Sequence, residues 1–348
     1  MSQRTIAGLL ALPMVVALIL CAFVLPLPYT IYWPGLTVNL LGTNGSGQPI
    51  ITVGKGGPTL YRDNGGLRMV TVEVTTRDHS TSLFEMLRAW GSNDDAVYPR
   101  SYAYPDQGTN SSDHSAGAQE MTSAQDSAVV VALSALGYRM AKGPIVEQVQ
   151  SGSPAEGSLR VGDLIVSING HKVATSDQVV SDTAATPTGT AVDVVVQRAG
   201  AKQEFRIVPK RVDGKPRMGV SIANGALPAF DVSVNIPSNI TGPSAGLMMA
   251  LSIYDELTPG SLTGGAIVAG TGTIDPTGAV GVIGGIQQKI PGAKRDGAQL
   301  FLVPAGNCPD VAGADHGSMR LAKVSTFTDA LRVIQTWAKD HNAPLPSC

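Results

Sequence analysis

The chain has 348 residues, a formal net charge of −2 and only 15% charged residues. Its length suffices for two modest domains, each able to bury a hydrophobic core. Because the net charge is small and negative, no basic field indicates nucleic acid as a partner. The sequence also lacks zinc-type Cys/His spacing, a GxxxxGKS/T loop and a GxGxxG loop that opens a helix after a strand. We therefore expect no cofactor, no metal ion and no nucleic-acid partner.

The first element along the chain is an uncharged apolar stretch, IAGLLALPMVVALILCAFV, at residues 6–24. A helix of this length can cross a hydrocarbon layer of about 30 Å. Arg4 precedes the stretch and the next charged residue is Lys55, so the charge asymmetry predicts a cytoplasmic N-terminus and extracytoplasmic domains. A cleaved signal peptide is the alternative, but LPLPYTIYWPG contains no clear A-x-A cleavage site. We expect a retained transmembrane anchor in the cell membrane at residues 1–28.

The three cysteines differ in their expected surroundings. Cys21 lies in the apolar stretch, and the large Leu20 before it disfavours lipidation. Cys308 and Cys348 would lie outside the membrane, where oxidation to a disulfide is permitted. Two cysteines alone do not establish a bond, so the disulfide stays open.

The next elements are a juxtamembrane segment at residues 29–63 and then alternating patterns. LRMVTVEVTTR, residues 67–77, alternates and is rich in β-branched residues, which predicts a strand. TSLFEMLRAWG has helical spacing, with Leu83, Leu87 and Trp90 on one stripe. Residues 92–115 are polar and contain Pro and Gly, which favours a long loop. The following QEMTSAQDSAVVVALSALGY predicts a helix that ends at Gly137.

From about residue 139, short strands alternate with glycine-rich turns, and one helix is predicted at residues 176–184. The passage GSPAEGSLRVGDLIVSINGHKV, followed by AVDVVVQRAG and KQEFRIVP, resembles a bacterial PDZ domain. The resemblance implies a β-rich domain at residues 138–212 that adds an extended peptide to a sheet edge. The usual carboxylate-binding loop would fall at residues 137–144, where GYRMAKGP matches its pattern poorly. We expect Asp163 to stabilise a turn, and Ile165, Val166 and Ile168 to pack the sheet.

A second motif, GPSAG, stands immediately before the apolar segment LMMALS. A serine before such a segment is usually a helix N-cap. In this motif Gly242 and Gly246 permit close backbone approach, and Pro243 fixes the turn. The same helix start would direct the N–H groups of Gly242, Ser244 and Ala245 towards a developing oxyanion. From this segment alone, Ser244 is either a cap or a nucleophile.

A serine nucleophile requires a base. None of the five histidines lies in a persuasive motif, although His79 and His316 remain alternatives. Lys289 follows a Gly-Gly turn at a predicted helix start, in less charged surroundings than Lys294 and Arg295. A desolvated lysine amine can be neutral near pH 7 and accept a proton. A lone helical lysine is more commonly a solvated surface residue, so Lys289 is a candidate only in combination with Ser244.

The wider context joins these two residues. Four segments resemble, in this order, the proteolytic domain of Lon-type peptidases: DVSVNIP, TGPSAG, AGTGTIDPTGAVGVIGGIQQK and GAQLFLVP. Lys289 follows Ser244 by 45 residues, as in that family. The resemblance implies Ser244 as nucleophile, Lys289 as general base and Thr271 beside the lysine. GGLRMVTVEV resembles the first strand of the same domain. The implied fold is α+β, with a Lon-like domain at residues 64–137 and 213–340, the PDZ-like domain inserted in it, and a tail at residues 341–348.

The complete order resembles the membrane-anchored PDZ and Lon-like proteins of bacteria, the YlbL type. Because no ATPase module accompanies the Lon-like segments, the resemblance implies ATP-independent hydrolysis of unfolded or tail-exposed proteins by a serine endopeptidase. The PDZ-like domain would recruit substrate or gate access to the site. A homo-oligomeric ring is also implied. The alternatives are a catalytically silent, peptide-binding membrane scaffold and a protein that cleaves itself.

Overall fold

The computed structural model describes residues 3–106, 108–150, 152–187, 189–198, 201–212, 214–228 and 230–348, and omits the side chains of residues 3–10. The chain divides into two compact units. The first unit comprises Met1–Ile51, Tyr61–Val131 and Val234–Cys348. The second unit comprises Thr52–Leu60 and Ala132–Ser233. Ser244, Thr271 and Lys289 therefore all lie in the first unit.

The helices and strands of the described residues follow in chain order. The helices are α1 (Gln3–Val24), α2 (Leu83–Trp90), α3 (Arg100–Ala103), α4 (Asn110–Ala135), α5 (Ser176–Ala184), α6 (Gly246–Glu256), α7 (Ile286–Arg295) and α8 (Phe327–Lys339), with a 3₁₀ helix at Ala305–Val311. The strands are β1 (Tyr29–Asn39), β2 (Ile51–Val53), β3 (Gly66–Val74), β4 (Ala96–Pro99), β5 (Ala141–Val149), β6 (Leu164–Ile168), β7 (His171–Lys172), β8 (Val192–Arg198), β9 (Ala201–Ile207), β10 (Lys210–Val212), β11 (Lys215–Arg217), β12 (Val220–Leu227), β13 (Val232–Val234), β14 (Ile267–Gly270), β15 (Thr273–Ile274), β16 (Val280–Gly281), β17 (Leu300–Pro304) and β18 (Arg320–Val324).

The apolar stretch at residues 6–24 is helical, as predicted, and lies within α1. Pro13 is accommodated inside this helix. Among the described parts of the chain, no helix combines the length and the apolar character needed to cross a membrane.

The first unit is built on a mixed six-stranded sheet with the order β18-β17-β14-β3-β1-β4. The strands β3, β14, β17 and β18 run parallel to one another, whereas β1 pairs antiparallel with β3 and β4. The strand predicted at residues 67–77 is confirmed as β3, which ends earlier, at Val74. Every residue of β17 is buried, which is typical of a parallel strand covered on both faces. A disulfide joins Cys308 to Cys348 and decides the pairing that the sequence left open.

The helix predicted at TSLFEMLRAWG is confirmed as α2. Ser82 caps it, because its hydroxyl accepts from the Glu85 N–H while the Glu85 carboxylate accepts from the Ser82 N–H. The apolar stripe that contains Leu83 faces outward: Leu87 is 53% exposed and Trp90 is 63% exposed. The buried face of the helix consists of Met86 and Ala89.

The prediction of a long loop at residues 92–115 is wrong. This segment contains β4, which pairs with β1, the short helix α3 and the start of α4. The α4 helix begins early because Thr109 and Ser112 cap it reciprocally, each hydroxyl accepting from the other residue's N–H group. Arg77 also bonds Asp113 in the first turn at 2.8 Å. The polar residues that suggested a loop are therefore capping and ion-pairing groups.

The second unit contains a sheet with the order β12-β5-β6-β8-β9, to which β7 is added beside β6. Its predicted helix is confirmed as α5. The turn role of Asp163 is also confirmed, because its carboxylate accepts from the Arg160 N–H at 2.8 Å and pairs with the Arg198 guanidinium. Ile165 and Ile168 are buried in the sheet core, and Val166 is half-buried.

One strand of this second sheet was not foreseen. The β12 strand pairs antiparallel with β5 along its length and forms one edge of the sheet. It follows residue 212, in a segment that the resemblance had assigned to the Lon-like domain. That assignment is corrected for residues 213–233, which lie in the second unit. No local pattern in residues 220–227 indicates that β12 pairs with a strand some 75 residues earlier, because strand pairing depends on the tertiary fold.

Candidate active site

Ser244 does not cap the helix that follows it. The α6 helix begins at Gly246, its N-cap residue is Ala245, and no side chain bonds to its first turn. The Ser244 hydroxyl lies instead 2.9 Å from the amine of Lys289. The cap interpretation is therefore wrong, and the serine oxygen is available for a different partner.

Lys289 lies in the first turn of α7, as its position after the Gly-Gly turn predicted. Gly285 is the N-cap, in the left-handed conformation with φ of 68°, and its carbonyl accepts from the Lys289 N–H. The Lys289 side chain is only 2% exposed. Burial lowers the pKa of its amine from 10.5 to about 7, because a charged ammonium is poorly solvated there. At neutral pH a large fraction of the amine is therefore uncharged.

Thr271 links the lysine to the backbone of the serine. It directly follows β14, is fully buried and lies with its Oγ1 3.2 Å from the Lys289 amine. The same hydroxyl donates to the Ser244 carbonyl oxygen at 3.0 Å, and the Gly272 N–H donates to that oxygen at 2.8 Å. These bonds fix the backbone of Ser244 and the position of the lysine amine together. The structure thus brings Ser244, Lys289 and Thr271 into one cluster.

The expected oxyanion donors require one correction. Gly242 has a φ of 90°, which favours glycine, but its N–H donates to the Gly117 carbonyl at 2.8 Å. That group is therefore already engaged and holds the turn against α4. The N–H groups of Ser244 and Ala245 donate to no acceptor in the described part of the chain. These two remain as candidate donors to an oxyanion.

Gly246 has the packing role that the motif predicted. A methyl group at this position would lie 2.8 Å from Ile274 Cγ2 and 3.0 Å from the Ile274 backbone nitrogen. The Leu247 N–H, one residue later, donates to the Gly272 carbonyl. The start of α6 is therefore held close to the segment that carries Thr271.

A cavity of about 430 Å³ opens at the Ser244–Lys289 pair. Its walls come mainly from β3, α4 and the turn before Ser244. They combine apolar with polar side chains: Met69, Val70, Val72, Met121 and Ile240 with Thr71, Glu73, Asn239 and Thr241. The sequence did not identify these wall residues, because the partners of a β3 face are set by the tertiary fold. The cavity leaves room for part of a substrate beside the serine hydroxyl.

The alternative Ser–His arrangement does not form. His79 lies 3.1 Å from the Glu85 carboxylate, and the His316 ring lies 2.9 Å from the Met319 carbonyl oxygen. In the residues that the structure describes, neither imidazole contacts Ser244. The same residues contain no group of three or more His, Cys, Asp or Glu side chains that could hold a metal ion.

A serine hydroxyl, a buried neutral amine and two available backbone donors define the class of serine hydrolases that use a Ser–Lys dyad. Comparison with known families agrees with this class. Residues 188–335 match the Lon protease (S16) C-terminal proteolytic domain, and residues 117–208 match the PDZ domain. The chain is therefore similar, in these two segments, to the proteolytic domain of Lon proteases and to PDZ domains.

Individual relatives cover only parts of the chain. The Lon protease of Xanthomonas oryzae pv. oryzae is 34% identical over 132 residues, which are 37% of this chain and 15% of the relative. The Lon protease of Campylobacter concisus is 30% identical over 148 residues, 40% of this chain and 18% of the relative. The chain thus spans less than a fifth of either relative. The PDZ domain of an SdrC-like protein from Listeria innocua is 26% identical, covers 23% of this chain and 92% of its own, and has a TM-score of 0.22.

Proposed function

We propose that this protein is an ATP-independent serine endopeptidase that hydrolyses peptide bonds in unfolded or tail-exposed proteins. One observation carries the proposal: the Ser244 hydroxyl lies 2.9 Å from a buried lysine amine. The pKa of that amine, about 7, makes it a competent base at neutral pH. Neither an ATP molecule nor a metal ion is needed for this chemistry.

The geometry supports a two-step acyl transfer. The neutral Lys289 amine accepts the Ser244 proton as Oγ attacks the scissile carbonyl carbon, and the N–H groups of Ser244 and Ala245 donate to the resulting oxyanion. The Lys289 ammonium then protonates the leaving amine, which leaves an acyl-enzyme. Water, deprotonated by Lys289, releases the acyl group and restores the serine. Thr271 keeps the amine in line with Oγ throughout.

We further propose that the second unit recruits the substrate tail. A groove of about 840 Å³ lies between α5 and the strands from β10 to β12, and β12 is an edge strand. An extended peptide can add to such an edge through backbone hydrogen bonds. Lys215 and Arg217 line the groove and are complementary in charge to a C-terminal carboxylate. Gating of access by the same unit is the alternative role.

Membrane attachment and an extracytoplasmic location are also part of the proposal. They are supported by the uncharged stretch at residues 6–24 and by the disulfide, which is typical of oxidising compartments. The exposed stripe of α2 adds support, because the Phe84 ring stacks at 4.7 Å on the Phe23 ring of α1 and Trp90 is exposed nearby. A YlbL-type protein and a homo-oligomeric ring are proposed from the resemblance alone.

The test compares the full chain with its Ser244→Ala variant on an unfolded, casein-like substrate. We expect cleavage by the first and none by the second, with both equally folded by circular dichroism. Equal cleavage by both proteins would refute the serine mechanism. Cleavage by neither would favour the scaffold, whose peptide groove would then be the function. Mass spectrometry of the protein incubated alone detects self-cleavage.

A further inference from the structure

A buried asparagine outside the catalytic cluster holds the backbone that leads to Lys289. Asn307 lies in the 3₁₀ helix and is only 3% exposed. Its Oδ1 accepts from the Ile283 N–H at 3.0 Å, and its Nδ2 donates to the Ile283 carbonyl at 2.9 Å. One side chain therefore satisfies both backbone groups of a single residue. Such a paired bond fixes the orientation of a peptide as well as its position.

Ile283 lies three residues before the start of α7. Between them stands the Gly284–Gly285 turn, and Lys289 follows in the first turn of the helix. Glycine has more accessible backbone conformations than other residues, so a glycine-rich turn is flexible and loses more conformational entropy when it is ordered. Holding the Ile283 backbone in place therefore restricts the backbone conformations of the glycine turn, which determines the position of Lys289.

Two further contacts connect the same segments. A methyl group added at Gly306 would lie 2.3 Å from Val282 Cγ1, so the 3₁₀ helix approaches the segment as closely as only glycine permits. The Gln287 amide, in the first turn of α7, donates to the Ala312 carbonyl at 3.4 Å. The glycine turn is thus contacted on one side by the 3₁₀ helix and on the other by Ala312, the residue that follows that helix.

The 3₁₀ helix is itself tethered. Cys308 directly follows Asn307 and forms the disulfide with Cys348, 40 residues later. The segment between them includes β18, which belongs to the main sheet, and α8, whose buried Ile334 and Trp337 face the core. The bond therefore ties the residue next to Asn307 to the C-terminal tail, where the Pro346 carbonyl accepts from the Lys323 N–H of β18. A covalent tether restricts the excursions of the segment that it joins.

We propose that Asn307 is a positioning residue that holds the start of α7, and with it the Lys289 amine, against Ser244, and that the Cys308–Cys348 disulfide keeps the 3₁₀ helix in place for this purpose. The proposal rests on the proposed function in that it takes Lys289 as the base. Without the Ile283 bonds, the turn gains freedom and water reaches the amine more easily. Solvation would then favour the ammonium form of Lys289.

The test uses Asn307→Ala in the full chain and two measurements. In peptide hydrolysis at pH 7 we expect kcat to fall about 30-fold with KM unchanged within about twofold, because orientation and not binding is lost. The acid limb of the kcat/KM profile should move up by about one pH unit, so that activity partly recovers at pH 9. NMR titration of the Lys289 amine in isotopically labelled protein should give the same upward displacement.

Two further variants separate positioning from stability. Asn169→Ala is the matched control, since the Asn169 amide also uses both of its ends, with Asp193 N–H and Thr186 Oγ1 as partners, but in the second unit. It should lower the melting temperature without moving the acid limb. Cys308→Ser combined with Cys348→Ser leaves Asn307 in place and should move the acid limb in the same direction as Asn307→Ala, by a smaller amount.

The NMR measurement requires no activity, so it distinguishes failure of the inference from failure of the proposed function. If Asn307→Ala leaves the titration of Lys289 unchanged, the inference is overturned, even where kcat falls. If the titration moves as expected but Lys289→Arg remains fully active, positioning is supported and the proposed catalytic role of Lys289 fails. A loss of kcat that merely follows the unfolded fraction, with an unmoved acid limb, also overturns the inference.

Discussion

The two ends of α6 both bury ionisable groups, and only one end has the arrangement of a catalytic site. Just before the first turn, Ser244 faces the buried Lys289 amine, whose pKa burial lowers to about 7. At the last turn, burial raises the pKa of Asp255 to about 6 and that of Glu256 to about 7. All three groups are thus displaced towards their neutral forms by the same cause, which is loss of solvation.

The difference lies in what surrounds each group. The Lys289 amine has two hydroxyl partners, at 2.9 and 3.2 Å, and lines an open cavity. Glu256 Oε2 has no hydrogen-bond partner in the described residues, and the Asp255 carboxylate accepts from the Leu262 N–H at 2.7 Å within the fold. A shifted pKa by itself therefore indicates only that the group is buried. It becomes evidence for catalysis only where a reacting partner and a space for substrate accompany it.

The largest expected effect is the loss of activity in Lys289→Arg. Arginine keeps the positive charge but cannot supply a neutral base, because its pKa lies far above neutrality. We expect kcat/KM for peptide hydrolysis to fall at least about 1000-fold. Glu256→Gln, at the other end of α6, should change kcat/KM by less than about twofold if the contrast between the ends is correct.

The matched control for this substitution lies on the same helix. Lys294 is exposed and pairs with Asp315 at 2.6 Å, so Lys294→Arg changes the same kind of side chain in α7 without touching the cluster. It should retain full activity. Activity in Lys289→Arg comparable with that of Lys294→Arg would remove the lysine from the mechanism.

The pH dependence of activity should reproduce the same contrast. Since the neutral amine is the active form, kcat/KM should rise with pH through about 7, where Lys289 loses its proton. At pH 5 we expect a value about 100-fold below the plateau, because each pH unit below the limb costs about tenfold. Glu256→Gln should leave this limb in place. A flat profile between pH 5 and 9 would contradict the assignment of the base.

The features of the site that could be predicted depend on residues that are close together in the sequence. The Gly-Gly turn before Lys289 and the apolar segment after Ser244 predicted two helix starts, and both lie within a residue or two of the expected place. The PDZ-like sheet core followed from β-branched runs between glycine turns. In each case neighbouring residues determine the local structure, so the sequence contains enough information.

The features that were missed depend on distant partners. The engagement of the Gly242 N–H by Gly117 joins α4 to a turn 125 residues later, and nothing in GPSAG indicates it. The α2 stripe faces outward because Met86 and Ala89 pack inward, although the stripe is the more apolar face. The early start of α4 was hidden because its polar caps, Thr109 and Ser112, have the composition of a loop.

Stability should depend on pH with opposite signs at the two ends. The folded pKa of Lys289 is below its unfolded value, so burial of the ammonium costs most below pH 7 and the cost fades as pH rises towards 10.5. Lys289→Met should therefore increase the free energy of unfolding by about 2 kcal/mol at pH 6 and by little at pH 10. Thermal denaturation at both pH values measures this difference.

Glu256 gives the reverse pattern. Its folded pKa of about 7 exceeds its ordinary 4.5, so the stability that it contributes is present below pH 4.5 and is lost as pH rises through 7. Glu256→Gln should stabilise the protein at pH 8 and have little effect at pH 4. If both variants were stabilising at the same end of the pH range, burial would not be the common cause of the two displaced pKa values.

The smallest effect on activity is expected from Gly117→Ala, in the part of α4 that contacts the turn before Ser244. A methyl group at Gly117 would lie 2.9 Å from Thr241 Oγ1 and 3.0 Å from Thr241 Cβ, so Gly117→Ala must displace the turn that precedes Ser244. Alanine is favoured over glycine inside a helix by about 1 kcal/mol, which offsets the cost of the displacement. We expect kcat/KM to fall about tenfold while the melting temperature changes by less than about 3 °C.

The control for Gly117→Ala is Gly45→Ala, where an added methyl group meets no atom within 4 Å. It should leave both activity and stability unchanged. The pH dependence of stability assigned to Glu256 should also persist in Gly117→Ala, since the displaced turn lies at the opposite end of α6. Full activity in Gly117→Ala would mean that the turn tolerates displacement, and that Thr271 and Gly272 alone fix Ser244. A tenfold loss without destabilisation would instead show that α4 contributes to the geometry of the nucleophile.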